Sequence, residues 1–200
     1  MVRPRDAASL VVTRGEGAET RVLLGRRPSD DRFMPNVYVF PGGRVDAADE
    51  SASSMRELRP TVARRLERRA RPTRARALAV AALRETFEET GLVFGERSRG
   101  GLRPDLSAID YLGRAITPPS NPIRYHARFL RARAENARGR LRGNGELLDL
   151  AWYTIDEALG LTVIDVTEAI LEQLRARVDG RARGDLFVHY RGWRQILSRE

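Results

Sequence analysis

Apolar residues recur along this chain at two spacings, and each spacing predicts a kind of element. Residues 9–13 and 21–25 are short runs rich in Val and Leu, parted by a Gly/Glu cluster at 15–19, which predicts two strands joined as a hairpin. A third run, 37–40, stops at Pro41-Gly42-Gly43, so a strand should lead there into a tight glycine turn. From 49 to 73 the chain shifts to Ser, Arg and Glu, with Met55, Leu58, Val62 and Leu66 at roughly helical spacing, and an amphipathic helix with flexible flanks is expected. Residues 74–90 are rich in alanine and other strong helix formers, and Gly91 follows where a left-handed cap commonly closes a helix. Leu83 and Phe87, four apart, mark the face that helix should turn into the core. Further along, 109–117 and 123–133 predict strands around the proline-rich loop 118–122, 147–154 another strand, and 166–178 a helix packed on a sheet. Strands and helices alternate without an internal repeat, so a layered α/β domain is expected.

Composition narrows the chemistry. A chain of 200 residues that is 42% hydrophobic can bury one sizeable core, and a single domain over 1–200 is the expectation. No apolar run approaches the roughly 20 residues of a membrane helix, and residues 1–6 are charged, so a soluble, cytoplasmic protein without a secretory signal is expected. The absence of cysteine excludes disulfides, thiolate catalysis and cysteine-bound zinc. Any metal must therefore sit on carboxylates, carbonyls or the two histidines, and oxygen ligands suit magnesium or manganese. The net charge of +9 says less than its size suggests. All 36 basic residues are arginine, a bias that a GC-rich coding sequence produces without any anionic partner.

The candidate chemistry lies on the alanine-rich helix. In Arg84-Glu85-Thr86-Phe87-Glu88-Glu89-Thr90-Gly91-Leu92, three glutamates fall at i, i+3 and i+4 and project from one face. Like charges so placed cost roughly a few tenths of a kcal/mol per pair unless a cation sits among them. A solvated acidic face is the plain alternative. His126 alternates with apolar neighbours and reads as structural, and His189 has no evident partner in the sequence.

The segment from Arg84 to Leu92 resembles the second half of the Nudix box, departing from it only in Thr86, where an aliphatic residue is usual. The first half of that box begins at Gly43 and places Asp49 where the family has a glutamate. Here 34 residues separate Asp49 from Arg84 where the family pattern has seven, so the box is split by an insertion at about 50–76. Split boxes resemble a subgroup of the family that includes a coenzyme A diphosphatase. Whether Asp49 stays at the site despite the insertion is a matter for the tertiary structure.

The resemblance implies a Nudix fold, a mixed β-sheet sandwiched between α-helices, and a metal-dependent hydrolase of nucleoside diphosphate-linked substrates. Glu85, Glu88, Glu89 and the backbone carbonyl of Gly43 would hold Mg2+ or Mn2+, which neutralises the diphosphate and acidifies the attacking water. Arg84 would orient the glutamates, and the general base would be Glu89 first and Glu146 second. Leu23, Leu24, Arg27, Arg32, Phe40, Pro41, Gly42 and Gly43 coincide in spacing with a motif of coenzyme A diphosphatases, although Gly25, Pro28 and Asn36 depart from it. Arg27 and Arg32 would then contact the additional phosphate of coenzyme A. ADP-ribose or another nucleotide is the alternative substrate, and a catalytically idle nucleotide- or RNA-binding module the alternative class. A small-molecule nucleotide is the expected partner. Basic strands interleaved with aromatics are missing, so no nucleic acid or membrane partner is expected, and a homodimer is left open.

Overall fold

The computed structural model describes residues 2–31, 34–98 and 101–200. Leu10, Val11 and Val12 are all fully buried, which requires a strand with a layer on each face instead of one face in water. That strand, β1 (Arg5–Arg14), lies inside a nine-stranded mixed sheet. Strand β2 (Arg21–Arg26) returns antiparallel to it, and the short β3 (Tyr38–Val39) and β4 (Gly42–Arg44) follow. Helices α1 (Ala47–Ser51), α2 (Pro60–Glu67) and α3 (Pro72–Thr90) precede a separate small hairpin of β5 (Gly95–Ser98) and β6 (Gly101–Pro104). Strands β7 (Ile109–Ile116), β8 (Tyr125–Arg133) and β9 (Leu148–Thr154) come next. Helices α4 (Ile155–Leu159) and α5 (Asp165–Val178) and the hairpin β10 (Leu186–Arg191) and β11 (Arg194–Arg199) complete the chain. The sheet order is β11-β10-β7-β8-β1-β2-β3, with β4 also on β1 and β9 also on β2; β1 with β8 and β7 with β10 run parallel.

Alternation along the strands sorts the side chains into two cores. Ala8, Leu10 and Val12 of β1 and Leu23 of β2 pack with Val62, Leu66, Leu78 and Leu83 of α2 and α3. Val11, Val22 and Leu24 point the other way and pack with Leu112 and with Ile170, Leu171 and Leu174 of α5. The layered α/β expectation therefore holds, with helices on both faces of a mixed sheet.

Four local expectations are corrected. The helix expected within 49–73 is confined to α2, because Pro60 opens it and disfavours helical geometry in the residue before it, and Pro72 already opens α3. Met55 and Leu58 consequently lie outside any helix. The flanks are held: Met55 N–H donates to the Pro104 carbonyl at 2.8 Å, Leu106 N–H to that of Arg56 at 3.0 Å, and Arg56 pairs with Asp105. Gly42 and Gly43 form part of a strand on β1, where a tight turn was expected. Phe87 is half-buried under Arg97, whose guanidinium carbon stands 5.0 Å from the ring centre, and Thr86 takes the fully buried position beside it. Thr86 satisfies its hydroxyl on the Ala82 carbonyl at 2.7 Å, so a polar residue is tolerated where an aliphatic one is usual.

The C-terminal hairpin was not foreseen. It extends the sheet through parallel pairing of Leu186–Val188 with Gly113–Ala115. Buried Asp185 just before it accepts from Arg65 of α2 at 2.9 Å and from Arg177 at 2.9 Å. Buried Gln173 of α5 donates to the Gly184 carbonyl at 3.1 Å and accepts from Arg199. His189 stacks on Phe187, ring centres 4.5 Å apart.

His126 is structural, as its place in a strand suggested. Its Nε2 lies 3.2 Å from Arg114 Nη1, so that nitrogen must accept and the ring must be neutral. Burial, then the charges of Arg128 and Arg114, push its pKa down to about 3, outweighing Asp6 and Glu200. A base depressed on folding contributes stability that is complete above its unfolded pKa, near 6.5, and lost as the pH falls toward the folded value. Thermal unfolding at pH 7.5 and 5.0 should therefore show His126→Gln losing less stability on acidification than the parent. An equal loss in both would remove His126 as the cause.

Candidate active site

The site is built where β4, α1 and α3 meet. Strand β4 lies antiparallel on the start of β1, and Gly42 adopts φ 153°, a backbone that disfavours a side chain; a Cβ there would fall 2.4 Å from the Ala8 carbonyl oxygen. A Cβ on Gly43 would fall 2.4 Å from the Glu85 carboxylate. Gly42 is thus required by close approach to the neighbouring strand, while a Cβ at Gly43 would instead push aside the movable carboxylate of Glu85.

Arg84 ties the parts together. Its Nε and Nη2 donate to the two oxygens of Asp49 at 2.9 and 3.0 Å, Nη1 donates to Glu85 at 2.9 Å and Glu88 at 3.1 Å, and Nη2 also reaches the Arg44 carbonyl at 3.1 Å. The bidentate bond to Asp49, then the charges of Glu85 and Asp49, raise the Arg84 pKa above its ordinary value against the cost of burial. Asp49 is 2% exposed and also accepts from Asp46 N–H at 2.8 Å, closing the capping box that starts α1. The insertion has not carried Asp49 away. The chain leaves the site after α1, builds α2 against the core and returns through α3 to place Arg84 upon it.

Among the glutamates, burial divides the environments. Glu88 is exposed, Glu85 is half-buried and Glu89 is 7% exposed. Burial, aided by repulsion from Glu85 and Glu146, pushes the Glu89 pKa up to about 8 even though the Gly42 N–H donates to its Oε2 at 2.8 Å. Glu85 is raised for the same first reason, with Arg84 opposing and Glu88 and Glu146 adding to it. Glu146, in the loop before β9, is exposed and exchanges hydrogen bonds with Asn144, yet its charge is felt at both buried glutamates. Among the described residues no three His, Asp or Glu side chains converge as a metal cage. Glu85 and Glu88 turn to Arg84, and Glu89 turns to the Gly42 amide, as mutually repelling carboxylates must when the nearest donors are protein groups.

A cleft of about 370 Å³ opens beside Gly42 and Gly43 on the α5 side of the sheet. Ala127, Phe129 and Phe40 line it with apolar surface, and Arg27, Arg44, Asn121 and Asp165 add polar groups. Arg27 also pairs with Asp31 at 2.5 Å, and its charge acts on Glu89. Arg32 lies outside the described residues. Tyr190 and Trp193 of the C-terminal hairpin border the cleft, and sequence reasoning missed them. Leu-Phe-Val-His-Tyr-Arg, then Gly-Trp, then Arg-Gln-Ile-Leu was the available signal, two strand-like runs about a two-residue turn.

No protein-family model matches the sequence. Acyl-coenzyme A diphosphatase NUDT19 of Gallus gallus is 33% identical over 135 residues, covering 50% of this chain and 35% of the chicken protein. Putative nudix hydrolase 7 of Caenorhabditis elegans is 30% identical over 107 residues, covering 52% of this chain and 28% of that protein. The chain thus spans roughly a third of the length of these curated relatives. A Nudix hydrolase from Alicyclobacillus acidocaldarius superposes with a TM-score of 0.70 at 28% identity, covering 88% of this chain and 93% of that one. In sequence and in fold the chain is similar to Nudix hydrolases. A MutT Nudix hydrolase from Burkholderia pseudomallei, with a TM-score of 0.54 and 21% identity over 86% of this chain and 99% of that one, shares the fold.

The split box is continuous in space, since Arg84 bonds to both Asp49 and Glu85 across the gap in sequence and Glu85 lies against Gly43. Gly43→Ala should displace the Glu85 carboxylate, lowering turnover about 100-fold and stability by about 1–3 kcal/mol, as measured by steady-state kinetics and denaturant unfolding. Unchanged turnover would show that Glu85 need not lie against that backbone. Asp49→Ala leaves a partly buried Arg84 without its bidentate partner and should cost about 3–5 kcal/mol in the same unfolding measurement. A loss under 1 kcal/mol would make Asp49 a bystander.

Proposed function

We propose that this chain is a divalent-metal-dependent diphosphatase of nucleotide-linked substrates, with coenzyme A or an acyl-coenzyme A as the preferred class. The observation that carries the reading is Arg84 gripping Asp49, Glu85 and Glu88 at once, beside Glu89 on the Gly42 amide. This is a Nudix box closed across its insertion with every carboxylate retained.

The donor set fits a hard cation. Its atoms are oxygens, Gly43 keeps its backbone clear of any Cβ beside Glu85, and Glu85 and Glu89, whose pKa values are raised first by burial and then by neighbouring carboxylates, are groups a cation would stabilise in their charged form. Glu85, Glu88, Glu89 and the Gly43 carbonyl would hold Mg2+ or Mn2+. When bound, the metal supplies positive charge to the diphosphate and acidifies the attacking water. The chain's own residues do the rest. Arg84 fixes the direction of Glu85 and Glu88, the apolar cleft excludes water from the organic part of the substrate, and Glu89 in its ionised form, beside the Gly42 amide, is the first choice of general base. Glu146, whose charge reaches Glu85 and Glu89, is the second.

Support for the coenzyme A class comes from the names of the vertebrate relatives and from the residues spaced like that subgroup's motif, Arg27 among them at the cleft. Incubation with Mg2+ or Mn2+ and coenzyme A, acetyl-coenzyme A, ADP-ribose, NADH and nucleoside triphosphates should release 3′,5′-ADP from the first two. Cleavage of other members alone would keep the reaction and replace the substrate, whereas no cleavage with either metal would overturn the enzymatic reading. Glu88→Gln should lower turnover by about 100-fold or more, with an unfolding midpoint within a few degrees of the parent. Chelation should silence the parent enzyme reversibly, and turnover that survives chelation would exclude the metal.

A further inference from the structure

Trp193 is 79% exposed, the greatest exposure among the large hydrophobic side chains of the described residues. It stands at the tip of the C-terminal hairpin, where Gly192-Trp193 forms a two-residue turn closed by the Arg191 and Arg194 pair. Hairpin tips of this length favour Gly, Asn or Asp, and Gly192 supplies the required positive φ of 61°. The indole beside it contributes nothing to that geometry. An exposed indole is a cost unless something covers it.

Its position says what. Trp193 and Tyr190 border the same cleft that Gly42 and Gly43 border, so the cleft runs from the Nudix box to the hairpin tip. Tyr190 is not free to swing, since its hydroxyl donates to Asp165 Oδ2 at 2.7 Å, and Asp165 Oδ1 is held by the Val166 amide at 2.8 Å. The hairpin is itself anchored through Asp185 and Gln173. An apolar cleft bordered by Tyr190 and Trp193 and also by Gly42 and Gly43, next to the carboxylates of the box, suits a ligand that joins a flat aromatic group to an anionic one.

We propose that Trp193, with Tyr190 as its fixed neighbour, is the platform on which the nucleobase of the substrate stacks, making the C-terminal hairpin a specificity element. The proposal rests on the cleft being the substrate site of a nucleotide diphosphatase. Stacking is tolerant of base identity, so the platform selects an aromatic base as such, and polar groups such as Asp165 and Asn121 remain to discriminate between bases.

The test combines binding and kinetics. Adenosine 5′-monophosphate, added to the full chain without metal, should quench tryptophan fluorescence, and Trp193→Ala should abolish the response. With the best substrate of the panel, Trp193→Ala should raise KM about 10- to 100-fold, and Trp193→Phe should restore most of the loss. A parent that hydrolyses nothing yet shows Trp193-dependent quenching overturns the diphosphatase reading and leaves the platform standing. Normal hydrolysis with unchanged KM in Trp193→Ala overturns the platform. So does a Trp193→Ala variant whose sedimentation shifts from dimer to monomer at unaltered KM, because the indole is then covered by a second copy of the chain.

Discussion

The site depends on one guanidinium. Arg84 makes five hydrogen bonds, to Asp49, Glu85, Glu88 and the Arg44 carbonyl, and through them joins β4, α1 and α3. A lysine could supply the charge but not the planar fork that meets both oxygens of Asp49 while leaving a nitrogen for the glutamates. The bonds also set the spacing of the carboxylates, since Glu85 and Glu88 are drawn to Arg84 and Glu89 is drawn to the Gly42 amide. Burial then separates their chemistry, with Glu88 exposed and Glu89 holding a proton to about pH 8.

The insertion that splits the box serves the fold. Its helix α2 contributes Val62 and Leu66 to the core beside α3. Arg65, from the same helix, reaches Asp185 and the Tyr111 carbonyl, 2.5 Å away, so the insertion braces the C-terminal hairpin against β7. That hairpin carries Tyr190 and Trp193 to the cleft. An insertion at one end of the box thus supports a wall of the cleft at the other.

Some of the arginine lies inside the molecule. Fully buried Arg128 is held by Asp6 at 3.1 Å and by the His126 and Arg69 carbonyls, and Arg114 by Glu200 at 2.6 and 2.8 Å. Burial of Arg128 lowers its pKa, and Arg114 beside it adds to this, while His126 is kept neutral first by its own burial and then by repulsion from the pair. The high net charge is therefore a poor guide to a partner, as the uniform use of arginine already suggested.

Local chemistry was legible in the sequence because it is set by spacing along one element. The three glutamates and Arg84 lie within two turns of a helix whose alanine content and Gly91 cap define it without reference to anything else. The β1–β2 hairpin and the central strands were legible for the same reason, since a short run of Val and Leu bounded by turn residues is a local property. What spacing cannot report is closure. Asp49 and Arg84 are 35 residues apart in sequence, and their contact exists because Pro60 and Pro72 fold the insertion back on itself over the core. Gly42 and Gly43 read as a turn, but their neighbours across space, the Ala8 carbonyl and the Glu85 carboxylate, make them a strand in which Gly42 has no room for a side chain. The C-terminal hairpin is decided by pairing with β7 and by Asp185 and Gln173, so its tryptophan acquires a place at the cleft only in the folded chain.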